Sequence, residues 1–329
     1  MKYWVFIFYI GMLWSCKPKS STSEDIIQPQ YAKLFYFSTQ FGDTTLHIIQ
    51  GGDTIAVKKK NGHQFHLLST TQVGYFDLLG NTSDIKGVVY PEEITYPSLK
   101  ARWQQGQLIQ LNPGHGEIDQ ELLWSQTADY VLYSPFDPLD FALPTSTEKI
   151  PFLDYAEEHP LGRLEWIKVI GFLSSRAVPA EKIFKEKAQQ YASEICKIEQ
   201  PQKVVIGSWD GEYFYINSQK STINQTLLDA GHQTLSPEKQ GNVQWDKEML
   251  WSKLSEIDHL IWISTTQQKP QLEKEMLQPE SWQKKWGVTP HFILIDTCAY
   301  FQQAIVAPEK LLQDLKHLND AQIKTFVTN

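Results

Sequence analysis

The chain has 329 residues, of which 41% are hydrophobic and 12% aromatic, and its 30 basic and 38 acidic side chains leave a formal net charge of −8. This composition can fill a large core and excludes a disordered chain, and the length points to two lobes. The acidic balance, with no basic block longer than Lys58-Lys59-Lys60, argues against nucleic acid as a partner, because phosphate recognition needs a concentrated basic surface.

Residues 1–16 begin with one lysine, continue as an apolar run and end in Leu13-Trp14-Ser15-Cys16. The run is shorter than the roughly 20 residues that span a bilayer but suits the core of a signal peptide. Leu13-Trp14-Ser15-Cys16 resembles a bacterial lipobox, which implies a diacylated Cys16 and attachment to a membrane through that lipid alone. Trp14 is bulkier than the residue usual there, and an ordinary signal peptide with a chance cysteine is the alternative. Residues 17–30, rich in Ser, Thr, Pro and charge, read as a flexible tether. Cys196 and Cys298 lie in distant segments and read as two buried free thiols, with one disulfide as the alternative.

Residues 31–60 read as extended segments, with 46–49 and 54–57 flanking the turn signal Gly51-Gly52 and Lys58-Lys59-Lys60 as a solvated edge. From there, short apolar strands alternate with helices, as in a mostly parallel α/β sheet. In a first lobe, 61–150, strands are expected at 65–68, 88–90, 108–109 and 130–133. A polar helix start, Ser69-Thr70-Thr71, leads to a helix over 73–79 that ends at Gly80. In a junction, 151–200, helical spacing covers 161–173 and 180–198, with Pro179 marking a break or a first turn between them. The second lobe, 201–329, has strands at 203–206, 260–263 and 292–295 and a closing helix over 308–318. The halves echo each other. Glu121 and Glu248 each open an amphipathic helix that feeds a buried strand ending in a serine, Ser134 and Ser264 respectively.

The junction opens with Phe152-Leu153-Asp154-Tyr155-Ala156-Glu157-Glu158-His159-Pro160-Leu161-Gly162-Arg163-Leu164-Glu165-Trp166-Ile167-Lys168. This run resembles the start of the interlobe helix in the periplasmic binding proteins that carry ferric siderophores, haem or cobalamin to an ABC transporter, in the version common in Bacteroidetes. Tyr31-Ala32-Lys33-Leu34-Phe35 resembles that subfamily's opening strand, and Leu68-Ser69-Thr70-Thr71 leading to Asp77-Leu78-Leu79-Gly80 is a second specific match. Weaker matches are 211–215, 228–231 and the helix from Pro308. The resemblance covers 31–318 and implies an α/β fold of two lobes with mostly parallel sheets, joined by a rigid interlobe helix, so that closure is small. It further implies a monomeric carrier with no cofactor or metal of its own and an ABC permease as partner.

In this family a glutamate near the start of a helix in each lobe docks onto permease arginines. Glu121 matches the first position through Ala128-Asp129-Tyr130-Val131, and Glu248 the second through Trp245-Asp246-Lys247. Two exposed carboxylates far apart would orient docking and speed encounter. As ordinary first-turn glutamates they would be favoured by the helix dipole alone, by about 0.3–1 kcal/mol.

Open α/β sheets bind ligands at the carboxyl ends of their strands. There the chain offers Thr70, Thr71, Tyr90, His115, Tyr133, Trp209, Tyr213, Thr265 and Tyr300. Their aromatic faces suit a macrocycle or a catecholate, and their hydroxyls suit its periphery. His115, between Gly114 and Gly116, is a candidate for ligating haem iron or bonding a chelate, a plain surface histidine being the alternative. His63 and His66, three apart in a strand, face opposite ways and cannot share a metal. Arg163 and Glu165 read as a buried polar network at the lobe junction, with ligand contact as the alternative. The chain departs from the family where ligand would be held. The usual glycine-rich loop after Tyr213 reads Asn217-Ser218-Gln219-Lys220-Ser221, and the usual Trp-Glu-Ser-Gly and Arg-Pro-Asp pieces read Tyr300-Phe301-Gln302-Gln303 and Ala307-Pro308-Glu309.

The leading reading is a lipid-anchored periplasmic protein that captures an iron chelate, either a ferric siderophore or haem, with cobalamin as the alternative cargo. A second class is an exported enzyme. Against it, Gly207-Ser208-Trp209-Asp210-Gly211 has the wrong spacing for Gly-x-Ser-x-Gly, and the sequence holds no His-Glu-x-x-His or phosphate-binding loop. A third class is an accessory lipoprotein that kept the fold without transport.

Overall fold

The computed structural model describes residues 25–135, 141–210, 212–239, 241–264, 291–318 and 327–328. Alternating apolar residues near the N-terminus build an antiparallel sheet of β1 (Asp25–Ile27), β2 (Phe35–Gln40), β3 (Asp43–Gln50) and β4 (Asp53–Lys58), in that order. Gly51 and Gly52 turn between β3 and β4 at φ 61° and 95°, the left-handed conformation a two-residue hairpin turn requires. Strand β1 falls inside the segment read as a tether. Its pairing of residues 25–27 with 37–39 orders a stretch that composition alone describes as flexible. Phe35, Leu46, Ile48 and Val57 face inward and are buried.

The first lobe comprises β5 (Phe65–Leu67), α1 (Val73–Leu79), β6 (Ile85–Val88), α2 (Pro97–Gln104), β7 (Ile109–Gln110), α3 (Gln120–Ser125), β8 (Tyr130–Tyr133) and β9 (Glu148–Pro151). Its strands form one sheet in the order β7-β6-β5-β8-β9, and every pairing is parallel. The strand expected at 88–90 instead ends at Val88, because Tyr90 turns to φ 47° just before Pro91. His66 is buried in β5, where desolvation lowers its pKa to about 4 and keeps it neutral. His63 precedes that strand, 3.9 Å from Asp84, so the two histidines share no site.

The junction contains α4 (Pro160–Glu165), α5 (Ile167–Leu173) and α6 (Ala177–Glu194). The chain breaks at Ser175, whose φ is 59°, rather than at Pro179. Pro179 sits in the first turn of α6, where the missing N–H loses no helical bond. The helix stops at Glu194, short of the expected residue 198.

The second lobe holds β10 (Lys203–Trp209), β11 (Phe214–Ile216), α7 (Thr222–Asp229), β12 (Gln233–Thr234), β13 (Val243–Trp245), α8 (Lys247–Lys253), β14 (His259–Ser264), β15 (His291–Asp296), α9 (Pro308–Lys316) and β16 (Val327–Thr328). Its sheet runs β13-β11-β10-β14-β15-β16, with β12 also beside β10. Strands β12, β10, β14 and β15 are parallel, while β11, β13 and β16 each pair antiparallel. Cys196 and Cys298 are free thiols. Among the described residues no helix is long and apolar enough to cross a membrane.

One continuous apolar core runs from the N-terminal sheet through α1, α4, α5 and α6 to the inner faces of β10, β14 and β15. Separate clusters cover the outer face of each main sheet, with Leu123 of α3 in one and Leu250 of α8 in the other. A shared core resists the shear that a wide hinge motion needs. Polar contacts reinforce it. Gln302, buried in the second lobe, accepts from Thr95 N at 2.9 Å and donates to Glu93 O at 2.7 Å, while Tyr96 donates to the Gln302 carbonyl.

Two carboxylates of the central run hold the approach to β2. Glu165, fully buried, accepts from the backbone N–H groups of Gln30, Tyr31 and Ala32 at 2.7–3.0 Å and from Lys168 Nζ at 2.7 Å. Glu157 accepts from Lys33 N, Leu34 N and Trp166 Nε1. Burial raises the Glu157 pKa, and those bonds oppose the rise. Replacing Glu165 with Ala orphans three N–H donors at once. The expected loss is about 3 kcal/mol of unfolding free energy, measured by urea denaturation.

Candidate functional site: the interlobe cleft

A cleft of about 730 Å³ opens between the lobes. Its first wall grows from the carboxyl ends of the parallel strands. After β5, Ser69 caps a 3-10 turn, Thr70–Gln72, by accepting from Thr71 N at 3.3 Å, and the Ser69 and Thr71 hydroxyls bond at 2.8 Å. After β6, Tyr90 lines the cleft with its backbone in the left-handed region, and its N–H donates to buried Asn112 Oδ1 at 2.9 Å. A non-glycine residue held there by a dedicated acceptor is the kind of stored strain that collects at functional sites. Ser134, just past β8, adds a hydroxyl.

The second wall is the loop after β11, with Asn217, Ser218, Lys220, Ser221 and Thr222. Fully buried Asn224 fixes this loop, because its Nδ2 donates to Asn217 O at 2.9 Å and to Ser218 O at 2.7 Å. The loop ends at the N-terminus of α7, whose dipole with Lys220 biases this wall toward anionic groups. Tyr300 and Phe301 complete the wall from a π-helical turn, Ala299–Gln303, a rare conformation concentrated at functional sites. Their rings meet edge to face, with centroids 4.9 Å apart.

The floor belongs to the central run. Arg163 Nε donates to Asp154 Oδ2 at 3.0 Å, and Tyr75 donates to Asp154 Oδ2 at 3.0 Å and to the Arg163 carbonyl at 2.9 Å. Burial disfavours the Arg163 charge, but Asp154 overrides that and holds its pKa above the ordinary value. Arg163 and Asp154 both line the cleft, as do Phe152 and Tyr155. Gln72, 2% exposed, also lines it, and its Oε1 has no hydrogen-bond partner among the described residues. An unmet buried acceptor costs about 1–3 kcal/mol.

Of the sequence candidates, Thr70, Thr71, Tyr90 and Tyr300 meet at this cleft. Trp209 does not. It is 5% exposed in the second lobe's outer core, stacked near Phe214. Tyr133 packs on the first lobe's outer cluster under Lys149, and Tyr213 lies in the turn between β10 and β11. His115 ends the turn Pro113–His115, and its side chain, like Thr265 and Cys16, lies outside the described residues. Sequence reasoning missed Gln72, Tyr155 and Asn242. It did mark 217–221 as a loop where ligand would be held, and Arg163 as part of a junction network. A second cavity of about 770 Å³ lies under the N-terminal sheet against α5 and α6. It touches neither lobe's strand ends, so the cleft is the better candidate.

No family model matches the chain, and no curated protein matches it. Solved structures do. A periplasmic binding protein from Veillonella parvula superposes with a TM-score of 0.62 at 15% identity, covering 86% of this chain and 98% of the other. The chain has the periplasmic-binding-protein fold. An ABC-type Fe3+-hydroxamate transport protein from Saccharomonospora viridis gives 0.60 at 15% identity over 84% and 99% of the two chains. A periplasmic haem-binding protein from Vibrio cholerae gives 0.57 at 15% over 78% and 99%. The two-lobed α/β architecture expected from the central run is thus the architecture found, parallel throughout in the first lobe and mixed in the second. In this binding-protein fold, Gln72→Met keeps side-chain volume and removes the orphaned acceptor. The protein should gain about 1 kcal/mol in thermal unfolding.

Proposed function

We propose that the protein is the substrate-binding lipoprotein of an ABC importer, which captures an iron chelate in the interlobe cleft and hands it to a permease. The single observation that carries this reading is the cleft itself. It is preformed, about 730 Å³, and floored by the Arg163–Asp154 pair, with hydroxyl, amide and aromatic groups converging from both lobes. The solved proteins of like fold include siderophore-binding and haem-binding proteins. A ferric siderophore saturates its iron with its own donors, so the protein need only hold its periphery. Haem iron takes a protein ligand such as His, Tyr, Met or Cys. Among the described cleft residues only Tyr90, Tyr155 and Tyr300 are of that kind, and Tyr300 is 5% exposed with its phenol pKa raised by burial. The siderophore reading is therefore preferred to haem, with cobalamin as a further arm of the test. In this reading the protein is a monomeric carrier without turnover, exported and tethered through Cys16.

Glu121 and Glu248 supply docking. Both are exposed at the second position of a short helix whose aspartate cap, Asp119 or Asp246, accepts the N–H two residues after the cap's neighbour, that of Leu122 or Met249. Helix α3 follows β7 in the first lobe and α8 follows β13 in the second. The double variant Glu121→Ala/Glu248→Ala should bind ferric siderophore with unchanged affinity in a tryptophan-fluorescence titration. Uptake of iron-55 siderophore by cells should fall at least tenfold. Normal uptake by the double variant would remove the docking assignment, and a wild-type chain that binds no ferric siderophore, haem or cobalamin would remove the carrier reading.

A further inference from the structure

Three features of the N-terminal sheet take no part in the cleft, and strand register brings them to one end. Asp25 of β1 pairs with Thr39 of β2, Gln40 of β2 with Asp43 of β3, and Thr45 of β3 with Lys58 of β4. The point where the chain enters β1, the turn between β2 and β3 and the exit of β4 are therefore neighbours. The Gly51-Gly52 turn, beside the Gln50–Asp53 pair, lies at the opposite end.

The turn at the first end is Phe41-Gly42. Its residues have φ of 52° and 88°, as in the two-residue hairpin turn that prefers Asn-Gly. A bulky side chain is disfavoured in the left-handed region. Packing does not offset this, because the Phe41 side chain is 87% exposed. Ile26 and Ile27 of β1 are also exposed, as is Val178 at the start of α6. Ile27, Gly42 and Val178 all line the cavity of about 770 Å³ under the sheet, so the start of α6 faces the hairpin across it. Four of the ten large apolar side chains exposed among the described residues thus gather at one end of one sheet. Lys58 and Lys59 are exposed beside them and line the same cavity. Asp25 and Asp43 lie there too, so the surface is amphipathic without being strongly basic.

What covers this end follows from the reach of the chain. Only residues 17–24 separate Cys16, the proposed point of lipid attachment, from Asp25. Fully extended, that stretch spans about 30 Å, which keeps the entry to β1 within that distance of the anchoring bilayer. We propose that this end of the N-terminal sheet rests on the anchoring bilayer, with Phe41 inserted at the lipid interface, Ile26, Ile27 and Val178 around it, and Lys58 and Lys59 at the lipid phosphates. The inference rests on the importer reading only for the anchor at Cys16. Exposed aromatic and aliphatic side chains flanked by lysines are the composition of an interfacial membrane contact. A second copy of the chain fits less well. A specific protein interface buries more than roughly 1,000 Å² of well-packed surface, whereas these side chains project from a turn, an edge strand and a helix start. A few apolar groups bind a free bilayer weakly, but the anchor holds them at high local concentration, which makes a weak contact sufficient. Because Asp25 and Asp43 oppose the lysines, apolar insertion carries the contact more than charge does. No residue lining this cavity also lines the interlobe cleft, so the cleft stays outside the contact.

The test uses the full chain with Cys196→Ser and Cys298→Ser, extracted from membranes and reconstituted into vesicles of phosphatidylethanolamine and phosphatidylglycerol. An environment-sensitive fluorophore is placed through Phe41→Cys or Val178→Cys, or through Asp53→Cys at the far end of the sheet as the control. Nitroxides on the lipid acyl chains should quench the labels at 41 and 178 about twofold and leave the label at 53 unchanged. Equal quenching at 41 and 53, or none at 41, overturns the proposal. Phe41→Asn gives a second readout that a structural role for the ring does not share. Asparagine suits the left-handed turn, so the thermal midpoint should rise while quenching at 178 falls. A lower midpoint would show that Phe41 serves the fold and would overturn the proposal. The mass of the extracted chain reports acylation of Cys16, and where none is found Cys16→Ser is used with added vesicles. An acylated chain without quenching leaves the anchor and removes the surface contact. An unacylated chain still quenched at 41 removes the anchor and leaves the contact.

Discussion

The central run binds the molecule together through carboxylates that are buried yet fully engaged. Glu157 and Glu165 receive the backbone N–H groups of residues 30–34 one after another. Trp166, fixed by its own bond to Glu157, packs edge to face against Phe35 of β2 and Phe152 after β9, with centroids 5.2 and 4.8 Å apart. Burying a carboxylate is costly unless its acceptor positions are filled. Here the donors are backbone groups that would themselves be orphaned without it. The N-terminal sheet, the first lobe and the interlobe helices therefore form or fail together.

The same run floors the cleft. Asp154 neutralises Arg163 and takes the Tyr75 hydroxyl, so a charged pair sits at the base of the site without moving to meet a ligand. The walls are similarly prepared. Asn112 holds Tyr90 in its strained turn, and Asn224 holds the 217–221 loop. With the lobes sharing one core, the walls and floor of the cleft are built before any occupant arrives, a geometry that lowers the ordering cost of binding.

Much of this was legible in the sequence, for identifiable reasons. Apolar runs bounded by turn signals marked β5, β8, β10, β14 and β15, and Gly51-Gly52 marked the first hairpin. The resemblance of 152–168 to a family's interlobe helix start marked the junction. Tyr90 lines the cleft but was misread as strand, since the acceptor that bends it, Asn112, lies on another loop. Trp209 was placed at a strand end correctly and in the cleft wrongly. Alternation along β10 turns it to the outer face of the sheet, where Phe214 and Trp262 wait. Gln72 was invisible, because an orphaned acceptor is a property of the surroundings and not of the residue. Pro179 was read as a break or a first turn and is the first turn, while the break belongs to Ser175, whose positive φ no composition announces.

Hydrogen exchange of the purified chain with and without a ferric siderophore tests the central claim most directly. A cleft gripped by both walls predicts simultaneous protection of residues 69–72, 217–222 and 299–302. Exchange in β2–β4 and α6 should be unchanged, because the shared core is already closed. Protection confined to one wall, protection at the cavity under the N-terminal sheet, or none with any chelate would contradict the account.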